Sequence, residues 1–249
     1  MSTKYIIVCQ ARTGSTALAS ALTQHKNIAA HGEVFGGPNF PLNIYGVRNK
    51  LQPPVLDHLR EFRDRDPIGF WEKVIVPETI HAAIGLKFKY EELTMPQWDR
   101  LVKHIGKDRS IHIISLKREN LLERELSQYI ALNVAKMFNT RDKNYTQKRD
   151  PITLDPVMLH EGFKKSRKWE RQFDKLFRKH PRFGVTYDDI ASRGGETLDK
   201  VQNFLGVPYQ EIAAATKKLQ KRHVSESIEN FEELKSYFKK TEFAPFFDS

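Results

Sequence analysis

The sequence predicts an α/β fold in which a parallel sheet lies between two layers of helices. Short apolar runs bounded by polar residues are typical of buried strands, and they alternate along the chain with segments whose apolar residues recur at helical spacing. This alternation favours a parallel sheet, because the crossover between two parallel strands is usually a helix. At 249 residues with 39% hydrophobic residues, the chain is long enough to bury the core of a single domain, 1–249.

The predicted elements follow one another in a regular order. Strands are predicted at residues 5–8, 83–88, 111–116 and 183–187. Helices are predicted after the first strand, at residues 96–105 and 120–137, from Pro156 until Pro181 stops the helix, and around residues 198–205. Asp155 before Pro156 is typical of a helix start, and Gly206 before Pro208 is typical of a helix end.

Two further segments lie outside this alternation. Residues 138–150 are polar, basic and aperiodic, which predicts a surface loop. Residues 217–249 contain six aromatic residues, namely Phe231, Tyr237, Phe238, Phe243, Phe246 and Phe247. A tail with so many aromatic side chains is expected to dock on the domain, because leaving them in water forgoes their burial.

The charge balance favours an anionic ligand or partner, since 41 Lys and Arg against 31 Asp and Glu give a net charge of +10. Cys9 is the single cysteine, so an intrachain disulfide is excluded and a reducing compartment, the cytoplasm, is expected. The histidines are scattered without ligand spacing, so no metal is expected. The first apolar run, residues 5–8, is too short for a signal peptide or a membrane span.

The segment after the first strand has the composition of a phosphate-binding loop. A strand, a Gly/Ser/Thr turn and a helix start direct backbone N–H groups and the positive helix end at one place, which stabilises an anion. Arg12 adds a charged fork, and the hydroxyls of Thr13, Ser15 and Thr16 beside Gly14 add donors. The alternative is an ordinary strand-to-helix turn with Ser15 as the N-cap.

Two other nucleotide-binding loops do not fit this segment. When Gly14 is aligned with the second glycine of a Walker A loop, Cys9 takes the place of the first glycine and Ser15 that of the lysine. A magnesium-dependent kinase is also expected to have an acidic residue near a later strand end, whereas the strand at 111–116 leads into Lys117 and Arg118. No G-x-G-x-x-G motif follows the strand, so a dinucleotide-binding fold has no support.

In four segments the chain resembles the sulfotransferases that use 3′-phosphoadenosine 5′-phosphosulfate (PAPS), especially the bacterial carbohydrate type that includes the trehalose and nodulation-factor enzymes. Residues 11–16 resemble the 5′-phosphosulfate loop, and residues 32–35 are similar to the segment with the catalytic carboxylate. Lys117 to Leu122 followed by Ser127 resemble the 3′-phosphate motif, with one residue more between Arg118 and Ser127 than the cytosolic animal enzymes have. Residues 185–189 and 204–208 resemble the adenine-side strand and the helix end after it.

The resemblance implies a role for each matched residue. Arg12, Thr13, Gly14, Ser15, Thr16, Arg118, Ser127 and Tyr187 are expected to bind PAPS. Glu33 is expected to be the base, with His31 as the competing base, because cytosolic sulfotransferases use a histidine. Lys87 is expected to stabilise the leaving oxygen with Arg12, although an edge-strand lysine fits the same sequence.

The implied reaction is direct transfer of a sulfuryl group from PAPS to the hydroxyl of a carbohydrate or small metabolite, with PAP, the desulfated nucleotide, as product and without a metal. Residues 35–50 and 138–150 are expected to form the acceptor pocket, and Lys221 and Arg222 are candidates for closing over the 3′-phosphate. The basic region around residues 164–182 favours a nucleic-acid-binding protein as the alternative. A small-molecule kinase that uses a nucleoside triphosphate is a third interpretation, and homo-oligomerisation stays open.

Overall fold

The computed structural model describes residues 2–37, 41–47, 51–134, 150–213 and 223–248. In this part of the chain five strands form one sheet: β1 (Thr3–Cys9), β2 (Ile28–His31), β3 (Ala83–Lys89), β4 (His112–Lys117) and β5 (Arg182–Thr186). Their order across the sheet is β2-β3-β1-β4-β5, and every neighbouring pair is parallel. The predicted α/β fold with a parallel sheet flanked by helices is confirmed.

The α-helices of the described residues are α1 (Ser15–Leu22), α2 (Pro53–Arg65), α3 (Pro67–Phe70), α4 (Tyr90–Leu93), α5 (Asp99–Lys107), α6 (Leu121–Tyr129), α7 (Pro156–Leu176), α8 (Tyr187–Ser192), α9 (Gly194–Phe204), α10 (Val224–Ser227) and α11 (Phe231–Phe238). Short π-helical segments follow α3 and α6, at Trp71–Ile75 and Ile130–Val134. Within the same ranges, 3₁₀ turns are found at Pro96–Trp98 and Ala244–Phe247.

The chain divides into two compact units, the first formed by Met1–Lys117 and Phe173–Ala215, the second by Arg118–Gln172 and Thr216–Ser249. The first unit contains the whole sheet. Its central strand, β1, is buried from Tyr5 to Cys9, as expected for a parallel strand that is covered on both faces. The prediction of a single domain stays a prediction.

The second unit has an aromatic core of its own. Phe163 of α7 packs against Phe238 and Phe243, with ring centroids 5.3 Å and 5.2 Å apart. Phe238 stacks on Phe247 at 5.1 Å, and Leu122 and Leu126 of α6 belong to the same cluster. The C-terminal aromatic residues therefore pack on α6 and α7 within this unit.

The predicted strands and several helix ends agree with the structure. Asp155 caps α7, because its Oδ1 accepts the N–H of Met158 at 2.9 Å. Gly206 follows α9 with a φ of 68°, the left-handed conformation that glycine adopts readily. The helix predicted at 120–137 is α-helical from Leu121 to Tyr129 and π-helical from Ile130 to Val134. Residues 135–137 of this prediction lie outside the described residues.

Candidate active site

The loop between β1 and α1 is folded back on itself. The Oγ1 of Thr13 donates a hydrogen bond to the carbonyl of Gln10 at 2.7 Å, and Thr13 is buried. Arg12 has a φ of 69°, which few residues other than glycine adopt, and such strained backbone is concentrated at functional sites. Gly14, not Ser15, is the N-cap of α1, and no side chain forms a capping bond there. Ser15 is therefore the first residue of α1 and not its N-cap, so this detail of the alternative is wrong.

Gly14 holds the loop against the end of β5. Its φ of 83° lies in the left-handed region. A Cβ at this position would lie 3.0 Å from Cδ2 of Tyr187, so the tyrosine ring rests on the face of the glycine. Tyr187 is the first residue of α8 and follows β5 directly. The loop and the predicted adenine-side tyrosine therefore lie together at the carboxyl end of the sheet.

Gly14→Ala is expected to lower the free energy of unfolding by about 1–2 kcal/mol, because alanine is strained at this φ and its Cβ crowds the Tyr187 ring. Urea denaturation measures the change. Gly184→Ala is the matched control, since a Cβ on Gly184 of β5 meets nothing within 4 Å and its φ is not in the left-handed region. Equal losses in both variants would contradict a special role for the Gly14 conformation.

The segment that carries Glu33 leaves β2 at the same end of the sheet. Gly32 donates its N–H to the carbonyl of Asn43 at 2.7 Å, and Asn43 returns its N–H to the carbonyl of Glu33 at 3.2 Å. A Cβ on Gly32 would lie 2.7 Å from Cβ of Asn43, so the close pairing requires glycine. Beyond Glu33, the carbonyl of Val34 accepts a bond from Nη1 of the fully buried Arg63 at 2.9 Å. These contacts fix the backbone on both sides of Glu33.

His31, the competing base, is fully engaged in backbone contacts. Its Nδ1 accepts the N–H of Tyr45 at 3.0 Å, so its Nε2 carries the proton and donates to the carbonyl of Ile75 at 2.9 Å. Burial lowers the pKa of His31 to about 4 despite the bond to Ile75. A neutral imidazole with both nitrogens occupied links β2 to its neighbouring segments and has no nitrogen left to take a substrate proton.

His31→Asn is expected to lower the free energy of unfolding at neutral pH by about 1–3 kcal/mol, because a buried partner of two backbone groups is lost. The pKa of His31 lies below that of an unfolded histidine, so the unfolded chain binds the proton better. His31 therefore makes stability fall as the pH drops from about 6.5 to about 4. Urea denaturation across this range should show a shallower fall in the variant, and an unchanged slope would contradict the assignment.

Lys87 joins Glu33 to the loop. Its Nζ lies 2.6 Å from Oε1 of Glu33 and donates to Oγ1 of Thr16 at 3.2 Å. Lys87 is buried in β3, where an ammonium group is costly unless it is paired. Lys89, two residues further along the same strand, lies with its Nζ 2.8 Å from Oε2 of Glu33. Both carboxylate oxygens of Glu33 are thus in ion pairs.

Two further carboxylates follow β3 on α4. Oε1 of Glu91 accepts the N–H of Ala11 at 3.3 Å, which fixes the start of the loop. Glu92 is buried, with Oε1 3.4 Å from Nζ of Lys89 and Oε2 accepting the backbone N–H of Lys89 at 3.0 Å. No sequence motif points to these two residues, which complete a cluster of alternating charges with Glu33, Lys87 and Lys89.

The pKa values in this cluster follow from burial and from the lysines. Burial alone would raise the pKa of Glu33, but Lys87 and Lys89 outweigh it and hold the pKa below its usual value. Burial raises the pKa of Glu92 to about 7, and the nearby charge of Glu33 adds to this rise, whereas Lys89 and Lys87 only partly oppose it. Burial alone would lower the pKa of Lys89, but the negative charges of Glu92 and Glu33 outweigh it, so the pKa is raised. Glu33 is therefore ionised at neutral pH, the form that a base requires.

Arg118 and Ser127 belong to the second unit. Arg118 is mostly buried, and its Nη2 pairs with the carboxylate of Glu123 on α6. The side chain of Asn120 caps α6 by accepting the N–H of Glu123 at 3.2 Å. Ser127 lies on the same helix and is half-buried. Arg118 immediately follows β4, and its predicted role at the 3′-phosphate stays a prediction.

The basic residues of α7 lie on its exposed side. Phe163 and Phe173 are buried, whereas Lys164, Lys165, Lys168, Arg171 and Lys175 are exposed. Acidic residues interrupt the basic run, since Glu170 pairs with Arg167 at 2.7 Å and Asp174 pairs with Lys117 at 2.7 Å. The helix is amphipathic, as its sequence pattern predicts.

Some predicted elements lie outside the described residues. These are the loop at 138–150 apart from Asp150, residues 38–40 and 48–50 of the predicted acceptor segment, and Lys221 and Arg222. Within the described ranges, no group of three or more His, Cys, Asp or Glu is placed to hold a metal ion. None of the helices in these ranges is at once long enough and apolar enough to cross a membrane.

Comparison with known proteins gives matches in structure and none in sequence. No protein-family model and no curated protein sequence matches the chain. A crystal structure of a sulfotransferase from Alicyclobacillus acidocaldarius matches 99% of this chain and 92% of its own, with a TM-score of 0.56 and 18% sequence identity. This chain has the sulfotransferase fold. A mouse sulfotransferase complexed with PAP covers 98% of this chain and 88% of its own, with a TM-score of 0.46 and 12% identity.

Within the sulfotransferase fold, four residues that shape the site were not predicted from the sequence, namely Lys89, Glu91, Glu92 and Arg63. Lys89 and Glu92 were missed although Lys89 lies two residues after Lys87, so that both side chains extend from the same face of β3. That spacing was the available signal. Arg63 lies on α2, about thirty residues from the segment that it fixes, and no local pattern points to this contact.

Proposed function

We propose that this protein is a sulfotransferase that moves a sulfuryl group from PAPS to an acceptor hydroxyl. The observation that carries the proposal is the position of Lys87, whose Nζ contacts both Oε1 of Glu33 and Oγ1 of Thr16. A carboxylate and an ammonium group thereby lie beside a loop suited to an anion. The sulfotransferase fold and the resemblance of four sequence segments support the same reaction class.

In the proposed reaction the Glu33 carboxylate takes the proton of the acceptor hydroxyl while the hydroxyl oxygen attacks sulfur. A new oxygen–sulfur bond forms as the bond between sulfur and the bridging phosphate oxygen breaks, and PAP leaves with that electron pair. A positioned base typically contributes about 10²–10⁴-fold to such a step. Since two ion pairs and the fixed backbone on both sides restrict the motion of Glu33, its carboxylate is held in position beside the loop.

The developing charge on the leaving oxygen needs donors that are already in place. We assign this role to Arg12, Lys87 and the amides of the loop from Thr13 to Thr16. Lys87 suits it because its ammonium group is buried and already bonded to Thr16. A cation in such a site interacts more strongly with an anion than one in water.

The nucleotide part of PAPS is assigned to three residues. Arg118 and Ser127 are proposed to bind the 3′-phosphate, and Tyr187 to line the adenine side. Arginine is well suited to a phosphate, because its planar fork donates two parallel hydrogen bonds. The pairing of Arg118 with Glu123 keeps the guanidinium charge from being buried alone.

The acceptor is proposed to be a carbohydrate or a small metabolite, in keeping with the resemblance to the bacterial carbohydrate enzymes. A cytoplasmic location is proposed from the single cysteine, Cys9, and the oligomeric state is open. Incubation with PAPS labelled with ³⁵S and a panel of glycans and hydroxyl metabolites tests the function. Label transferred to a panel member without added metal supports the proposal, whereas release of no labelled product with any acceptor or with water would contradict it.

The exposed basic side of α7 favours one alternative, a nucleic-acid-binding protein. Such a protein would bind duplex DNA or RNA with an affinity that falls steeply as salt is raised, and PAP would not compete. A kinase would instead require magnesium and ATP. Duplex binding is measured by fluorescence anisotropy at two salt concentrations, with and without PAP. Strong duplex binding that ignores PAP would replace the sulfotransferase proposal.

A further inference from the structure

The two lysines that hold Glu33 differ in their second partner. Lys87 Nζ contacts Glu33 Oε1 at 2.6 Å and Thr16 Oγ1 at 3.2 Å, so it is shared with the phosphate loop. Lys89 Nζ contacts Glu33 Oε2 at 2.8 Å and Glu92 Oε1 at 3.4 Å, so it is shared with a buried carboxylate. One lysine is thereby linked to the place where an anion is expected to bind, and the other to the protein interior.

A base needs an oxygen that is free to accept a proton, and both oxygens of Glu33 are in ion pairs. An anion in the loop would compete with Glu33 for the ammonium group of Lys87, which already donates a hydrogen bond to Thr16 of the loop. Movement of Lys87 toward this anion releases Oε1 of Glu33. The remaining contact of Oε2 with Lys89 then decides where the carboxylate lies.

Lys89 is fixed by its own neighbours. Glu92 is only 2% exposed, and its Oε2 accepts the backbone N–H of Lys89 at 3.0 Å, so the carboxylate and the lysine are held together at the start of α4. Separating them would leave a buried charge without its partner, which is costly. Lys89 is therefore expected to remain beside Glu92 when an anion binds in the loop.

We propose that Lys89, held by Glu92, is the positioning residue that keeps the Glu33 carboxylate in place when Lys87 turns to the anion in the phosphate loop. The inference rests on the proposed function, since it assumes that PAPS fills the loop. Among the residues that the structure describes, the charged groups that face Glu33 are Lys87 and Lys89 from β3 and, across Lys89, Glu91 and Glu92 from α4. Lys87 is then a catalytic residue, and Lys89 acts only through Glu33.

Titration of the Glu33 carboxyl carbon by ¹³C NMR tests this division, with PAP as the probe and the resonance assigned by Glu33→Gln. In the free protein, Lys87→Met and Lys89→Met should each raise the pKa of Glu33 by about one unit or more, because each removes a paired cation. With PAP bound, Lys89→Met should still raise it, whereas Lys87→Met should have little effect. Lys89→Arg keeps the charge and should restore the wild-type pKa with PAP bound.

Two outcomes with PAP bound would overturn the inference: an unchanged pKa in Lys89→Met, or a rise in Lys87→Met as large as that in Lys89→Met. Calorimetry with PAP on the same wild-type sample separates this failure from that of the proposed function, which falls if PAP does not bind. If Lys89→Met does not fold, the double variant Lys89→Met/Glu92→Gln removes the unpaired carboxylate, and the same rise in the pKa of Glu33 is expected.

Discussion

Glu33→Gln is expected to lower turnover by about 10²–10⁴-fold while leaving PAP affinity nearly unchanged. Glutamine keeps the size of the side chain but cannot take a proton from the acceptor. Turnover is measured with labelled PAPS on the acceptor found by screening, and PAP affinity by calorimetry. The backbone contacts of Gly32 and Val34 do not involve the changed group, so the segment should keep its conformation.

Glu196→Gln is the matched control for this experiment, because Glu196 is an exposed carboxylate of α9 that pairs only with Lys200 among its described contacts. It should turn over like the wild type. Near-wild-type turnover of Glu33→Gln together with inactivity of a folded His31→Asn would mean that the base assignment is wrong. Loss of PAP binding in Glu33→Gln would show that the residue supports the loop instead of acting as base.

Arg118→Ala is expected to weaken PAP binding by about 10- to 100-fold, because the variant loses a charge-assisted hydrogen bond worth about 1.5–3 kcal/mol. Adenosine 5′-phosphosulfate, which lacks the 3′-phosphate, should bind the variant about as well as it binds the wild type. Calorimetry with both ligands measures the difference. Equal losses for both would show that Arg118 acts on the fold and not on the 3′-phosphate.

Two further variants sharpen this test. Arg171→Ala removes an exposed arginine of α7 and should leave PAP affinity unchanged. Glu123→Gln removes the carboxylate that pairs with Arg118, so PAP should bind at least as tightly as before, because the guanidinium group loses a competitor. A marked loss of PAP affinity in Glu123→Gln would instead mean that the ion pair is needed to hold Arg118 in position.

The sheet was largely predictable because the buried strands are continuous apolar runs. The predicted bounds agree within a few residues with those of β1, β3, β4 and β5. Tyr187, predicted as the last residue of the strand at 183–187, is instead the first residue of α8. β2 was not predicted, since Ile28–His31 has only four residues and contains two alanines and a histidine. Its identity as a strand depends on pairing with β3, which is a tertiary contact.

The candidate site was predictable where its residues are close together in the sequence. It was not predictable where residues distant in the sequence come into contact. The loop at residues 12–16 is a contiguous strand–turn–helix pattern, so its sequence indicates its geometry. The engagement of His31 depends on the carbonyl of Ile75, which is distant in the chain. The second partner of Lys89 likewise follows from burial of Glu92. Such burial is decided by packing and leaves no periodic trace.

The proposed PAPS site can be tested without an acceptor by calorimetry with PAP and with adenosine 5′-monophosphate, in buffer without divalent metal. PAP is expected to bind at least about tenfold more tightly than the monophosphate, since the 3′-phosphate adds a charge-assisted contact. Failure of PAP to bind, or equal affinity for the two nucleotides, would contradict the assignment of a PAPS site.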